Sequence, residues 1–201
     1  PEPEDHPPAV DHLAGLLVIL IGLSELQEGA GRSILPWTRW ALPAFMLIGG
    51  VVLLAWSDHE AWPIGPLTFA QTFLGQDQEL VQHKVYALLL LAIGGLELQR
   101  RKGGLEGPWW QVPLPVFALI GGAMLFLHSH GHHPLAHKIA IRPAVMGMMA
   151  LIAGSSKLVS VKVGGQQAKS GALAFSSRAW WDLVWAGSLV VIGLQLLLYS
   201  E

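Results

Sequence analysis

Five histidines, His128, His130, His132, His133 and His137, fall within one stretch from Leu125 to Lys138 that reads Leu-Phe-Leu-His-Ser-His-Gly-His-His-Pro-Leu-Ala-His-Lys. Neutral imidazole is the commonest protein metal ligand, and a tract this dense in it is a compositional sign of metal binding. The chain has no cysteine and no His-Glu-x-x-His sequence, so neither thiolate zinc spacing nor a zinc-protease helix is available. The plainer reading of the same residues is a polar, partly solvated loop between helices. His128 and His132 are four apart, as are His133 and His137, and each pair shares a face if a helix runs through it. Pro134 suits the first position of a helix, which puts His137 one turn inside and His133 just before the start.

Two further histidines, His12 and His83, stand like His137 at the start of an apolar run. If the runs pack with rough threefold similarity, these three imidazoles approach one another, and an all-imidazole site suits copper, zinc, iron or nickel. The alternative is three interfacial residues satisfied by water or backbone. Asp58, His59 and Glu60 close the second run, mirrored by His128 and His130 after the fourth. Their carboxylates serve either as partners orienting ligating imidazoles or as solvated charges. Negative charge is mildly unfavourable at a helix C-terminus, so a cation is one candidate partner there. Met124, Met146, Met148 and Met149 offer soft thioether donors suited to Cu(I), but read more simply as core fillers. Glu25 and Glu97 read as interfacial carboxylates rather than as a proton relay.

The elements that must position these residues are membrane helices. Of 201 residues, 52% are hydrophobic and 13% charged, against about a quarter charged in ordinary soluble proteins. Six runs approach the ~20 apolar residues that a spanning helix needs: Val10 to Leu26, Trp40 to Trp56, Gln82 to Leu98, Val112 to His128, Lys138 to Leu158 and Trp180 to Tyr199. The expected fold is therefore an all-α polytopic membrane bundle.

The runs are related to one another. Leu42-Pro43-Ala44-Phe45-Met46-Leu47-Ile48-Gly49-Gly50 recurs as Leu114-Pro115-Val116-Phe117-Ala118-Leu119-Ile120-Gly121-Gly122. The preceding runs match as well, from Asp11-His12 to Glu25-Leu26-Gln27 and from Gln82-His83 to Glu97-Leu98-Gln99, and a weaker third copy opens at Ala136-His137-Lys138. Three tandem helical hairpins follow, over residues 10–58, 82–130 and 137–201, in a single transmembrane domain of residues 10–201. A proline-rich acidic tail, residues 1–9, precedes them, and the chain opens on Pro1 rather than Met, as after removal of a targeting segment or after trimming.

Lys and Arg accumulate in cytoplasmic loops. Arg32, Arg39, Arg100, Arg101, Lys102, Lys157, Lys162, Lys169 and Arg178, nine of the twelve basic residues, fall in the three loops on one side. That side is expected to be cytoplasmic. All nine histidines and both termini then face outward, to the periplasm in a bacterial inner membrane. Residues 57–81 form the only sizeable outer loop, with a turn at Trp62-Pro63-Ile64-Gly65-Pro66 and a short interfacial helix over Leu67 to Leu74, placed to lie over the histidine face as a lid. Tryptophans near the run ends read as an interfacial belt, and the Gly49-Gly50, Gly94-Gly95 and Gly121-Gly122 pairs as sites of close helix packing. Arg142-Pro143 predicts a kink near the outer end of the fifth helix.

The pattern of short helices opening with Gln82-His83-Lys84 and closing with His128-Ser129-His130 resembles the CopD-type copper-resistance family of bacterial inner-membrane proteins. That resemblance implies a polytopic protein taking copper from the periplasm through outer-face histidines, with His83, His128, His130 and His137 as the positions it carries over. The methionines form no clear relay through the bilayer, so the resemblance bears on binding more than on transport.

The leading expectation is a copper-binding membrane protein that receives or transfers periplasmic metal, with the lipid bilayer, the ion and a periplasmic copper protein as partners. Its candidate ligands are His128, His130, His132, His133, His137, His83, His12, His59 and Asp58. Two other classes compete with it: an accessory subunit of a larger respiratory or photosynthetic membrane complex, and a haem b carrier using two of His12, His83 and His137 as axial ligands. No nucleophile and base pair, phosphate loop or nucleotide fingerprint appears, so no catalytic residue is expected. A net charge of -2 gives no argument for nucleic acid.

Overall fold

The computed structural model describes residues 8–30, 35–56, 59–75, 77–127, 136–170 and 175–198. Among them every regular element is a helix: α1 (Pro8–Gly29), α2 (Thr38–Trp56), α3 (Phe69–Leu74), α4 (Gln78–Arg101), α5 (Pro113–Leu127), α6 (Ala136–Ser170) and α7 (Phe175–Leu197), with a 3-10 turn at Pro108–Gln111. Six stretches are long and apolar enough to cross a membrane: His12–Gly29, Thr38–Trp56, Leu80–Arg101, Pro108–Phe126, Pro143–Gly165 and Arg178–Leu197. Each coincides with one of the six apolar runs. A helix is the form that such a run must take in lipid, because it satisfies its own backbone hydrogen bonds.

The largest departure from the sequence reading is at α6. The apolar run ends near Leu158, yet the helix continues to Ser170, so Lys162 and Lys169, like Lys157 at the end of the run, are helical residues rather than parts of a loop. Hydropathy measures the length that lipid accepts, whereas a helix continues until a cap or a breaker stops it. α6 also passes through Pro143, and α2 through Pro43, without ending.

The chain divides into two compact units, one of residues 1–41 and 106–201 and one of residues 42–105. In the first unit α1 lies antiparallel to α7 through small residues. A methyl group on Gly15 would stand 2.8 Å from the Leu197 nitrogen, and one on Gly22 would stand 2.7 Å from Val190 Cγ2. α5 and α6 meet in the same manner, with Gly122 against the Gly147 carbonyl and Gly154 against that of Pro115. α6 in turn packs on α7. Between helices in lipid, where the surroundings are as apolar as leucine, close backbone approach is the available source of packing energy.

In the second unit α2 runs antiparallel to α4, with Gly50 on Leu91 and Gly94 on Met46 and Leu47. One member of each predicted glycine pair lies at an interface, whereas Gly49, Gly95 and Gly121 have nothing within 4 Å of a methyl placed there. α4 begins at Asp77, whose Oδ1 accepts from the Leu80 N–H at 3.1 Å, and ends before Gly103, which takes φ 81°. That left-handed conformation suits glycine and returns N–H groups to the last carbonyls, Gly103 to Arg100 and Gly104 to Gln99.

Between α2 and α4 the chain carries the short helix that its sequence predicts. Thr68 and Gln71 cap α3 reciprocally, and the fully buried Thr72 hydroxyl accepts from the Trp62 N–H at 3.0 Å. Within each unit the packing runs across the predicted hairpins, α2 with α4, α5 with α6 and α1 with α7, as well as within the last one.

Candidate functional site

The predicted ligands divide into three groups. His128, His130, His132, His133 and Asp58 lie outside the described residues. His12, in the second turn of α1, and His83, in the second turn of α4, are half-buried, and His59 is exposed in the turn after α2. Of His137 the structure describes the backbone, in the first turn of α6. Among the described residues no group of three or more His, Asp and Glu is placed to hold one metal ion.

Helix direction nevertheless constrains the histidine end of the first unit. α1 and α6 both run antiparallel to α7, as Gly15 beside Gly193 and Gly164 beside Arg178 show, so α1 and α6 begin at the same end. α5 is antiparallel to α6 and finishes there. His12, His137 and both anchor points of the chain segment joining α5 to α6 therefore belong to one end of this unit. In the second unit Lys84 is fully buried, and its Nζ donates to the Leu54 carbonyl at 2.8 Å, tying the start of α4 to the last turn of α2. A cation near carbonyls at a helix C-terminus is favourably placed.

The densest polar arrangement lies at the opposite end of the first unit, among residues that the sequence reading assigned to loops and interfaces. Glu25 on α1 is 4% exposed. Its Oε2 accepts from Trp185 Nε1 of α7 at 3.2 Å and stands 3.7 Å from Lys157 Nζ of α6. The same ammonium donates to Asp182 Oδ1 of α7 at 2.9 Å, and Ser160 Oγ donates to that oxygen at 2.8 Å. Arg178 Nε lies 3.7 Å from Asp182 Oδ2, and Lys157 Nζ is 5.8 Å from the centre of the Trp185 ring. Three helices thus converge on one ammonium shared by two carboxylates.

Local sequence explains how these groups come to point inward. Lys157 and Ser160 are three apart and Asp182 and Trp185 are three apart, so each pair shares a helix face. Gly29 lets α1 approach Asp182 closely, a methyl there standing 3.3 Å from its Cβ. Lys157 is eight residues before Gly165, where its span ends, which at 1.5 Å per residue puts it about 12 Å inside. Ionisable residues within spans are costly unless paired, and so mark functional positions by default. The sequence signal for this cluster was a lone lysine in the run Met146 to Val161, absorbed by the assignment of basic residues to loops, and a lone aspartate between Trp181 and Trp185.

The second unit holds a buried carboxylate in the matching sequence context, Glu-Leu-Gln. Glu97, 3% exposed, accepts from Arg100 Nε at 2.9 Å, from a second nitrogen of the same guanidinium, and from Arg101 Nε at 2.8 Å. Here Arg100 and Arg101, one turn along the same helix, are the partners.

Comparison with protein-family models, with curated proteins and with solved structures finds no match for this chain.

Proposed function

We propose that the chain is an integral membrane metal-binding protein that receives or transfers copper at the histidine-rich end of its helices, the periplasmic face of a bacterial inner membrane. The observation that carries this reading is five histidines between residues 128 and 137, in a segment whose two ends join helices at the same end of one unit as His12. Imidazole donors without thiolate suit copper and zinc, and Irving–Williams ordering favours copper among divalent ions. His128, His130, His132, His133 and His137 would supply most of the donors, with His12 of the same unit as a further candidate.

The excess of basic residues on the other side supports the outward orientation. Ligating imidazoles must be neutral, so copper retention is expected to weaken as the solution is acidified.

The test is elemental analysis of the purified chain after copper loading and desalting. Copper retained near stoichiometry, and lost when His128, His130, His132 and His133 are replaced together by alanine, is the expected result. No retained copper in the unsubstituted chain sinks the proposal. A haem absorption band in freshly purified protein would replace copper with haem b.

A further inference from the structure

We infer that residues 61–75, between α2 and α4, are a wedge seated in the bilayer that those helices cross, with Ile64, Phe69 and Leu74 among headgroups and upper acyl chains rather than in water as a lid. The inference rests on the spanning helices and does not depend on copper binding.

The segment is uncharged and leaves and returns at one end of its unit. From Ala61 to Gln76 sixteen residues carry no charge, bracketed by Glu60 and Asp77, both exposed. Lys84 Nζ, donating to the Leu54 carbonyl, ties the start of α4 to the last turn of α2, so both ends of the segment are anchored at the same membrane face. It therefore lies at that face and does not cross.

Its side chains are sorted the wrong way round for water. The two wholly buried residues are Ala61 and Thr72, one small and one polar, whereas Ile64, Phe69 and Leu74 are each more than half exposed. A loop facing water turns large apolar groups inward and leaves hydroxyls outside. Trp62, Phe69 and Phe73 follow one another in ring contact, with centroids 5.5 and 4.6 Å apart, so the apolar surface is continuous rather than scattered.

The backbone is closed in the way that lipid demands, since a peptide group near hydrocarbon must find its partner within the protein. The Trp62 N–H donates to Thr72 Oγ1, the Gly65 N–H to the Ala61 carbonyl and the Leu67 N–H to the Glu60 carbonyl. Thr68 N–H donates to Gln71 Oε1, Gln71 N–H to Thr68 Oγ1 and Thr72 N–H to the Thr68 carbonyl. Pro63 and Pro66 have no N–H to satisfy. A methyl on Gly65 would overlap the Glu60 carbonyl carbon, so this fold-back requires glycine.

The bilayer is the occupant that the rest of the unit already meets. Trp56 at the end of α2 and Val85, Leu88 and Leu89 on α4 are exposed apolar residues of spanning helices, and α3 packs on α4. The outward face of α3 continues that surface at its water-facing end. An apolar face of this kind enters the headgroup and acyl boundary by about 5–10 Å, which leaves Glu60 and Asp77 in water.

The chain has no cysteine, so single nitroxide labels report on chosen positions of the full-length protein in phospholipid vesicles. Labels at Ile64→Cys, Phe69→Cys and Leu74→Cys are compared with Glu60→Cys as the water reference and Leu88→Cys as the lipid reference. The ratio of collisions with oxygen, which concentrates in lipid, to collisions with a water-soluble nickel chelate is expected to exceed the Glu60 value several-fold at all three positions. Ratios at Ile64 and Leu74 equal to that at Glu60 place the segment in water and overturn the proposal. Immobilised labels closed to both reagents overturn it as well, because they show a protein surface, from a second copy or another subunit, covering the segment. Leu74 is 84% exposed and gives up little packing, so Ile64 and Leu74 decide the outcome even if Phe69→Cys fails to fold.

Discussion

Glu25 and Glu97 are each followed by Leu-Gln and are buried to nearly the same degree. Their neutralisation is opposite in kind. Glu97 is held by Arg100 and Arg101 of its own helix, at spacings of three and four residues. Glu25 is held by Lys157 and Trp185, the latter 160 residues along the chain. A carboxylate satisfied within one turn travels with its helix and constrains nothing else. One satisfied by two other helices fixes how three of them meet, and it persists only while they do. The second unit therefore neutralises this carboxylate as a local device, and the first as a tertiary one.

The sharpest way to break this contrast is Lys157→Met, which leaves Glu25 and Asp182 facing each other without their shared cation. A loss of about 3–5 kcal/mol is expected from stranding buried charges, read as a lower midpoint in detergent-monitored unfolding. Gly22→Ala, at the α1 and α7 contact that brings Glu25 into position, is expected to cost about 1–3 kcal/mol through overpacking against Val190. Hydrogen exchange should show the loss in α1 and α7 while α2 and α4 keep their protection.

Glu97→Gln should cost less, about 1–2 kcal/mol, because Arg100 and Arg101 sit at the end of α4 and their heads can reach water along their own stems. If Glu97→Gln and Lys157→Met destabilise equally, the distinction between local and tertiary neutralisation is void. The smallest effect separates the glycines within a pair. Gly49→Ala meets nothing and should stabilise by up to about 1 kcal/mol through helix propensity, whereas Gly50→Ala, against Leu91, should destabilise. Paired unfolding curves of the two variants decide this.

Much of the fold is visible in the residues themselves. The six apolar runs became the six membrane-length helices, since an uninterrupted apolar run in lipid has one economical backbone conformation. The short helix α3 was also legible, because Thr68 and Gln71 form a capping box that acts over three residues. The hairpin repeat was legible as a sequence relation, but which helices pack together was not. The glycine interfaces of α1 with α7 and of α5 with α6 depend on partners chosen by shape, and nothing in Gly22 names Val190.

The candidate sites divide in the same manner. Histidine density is a local property, and the tract at residues 128–137 could be singled out without coordinates. The charged cluster could not, because Lys157 and Arg178 count toward a basic loop when read in order along the chain. Only the continuation of α6 through Lys157 and its packing beside α7 turn that lysine inward.

Residue order by itself determined how many helices are long enough to cross a membrane, where they start, and which ends are rich in imidazole or in basic side chains. Each of these follows from interactions with solvent, lipid or neighbours within a few residues. The three-dimensional fold alone decided that Glu25, Lys157 and Asp182 share one charge network. Coulombic and hydrogen-bond energies depend on distances across helices, and those distances are set by small-residue packing that no single segment encodes.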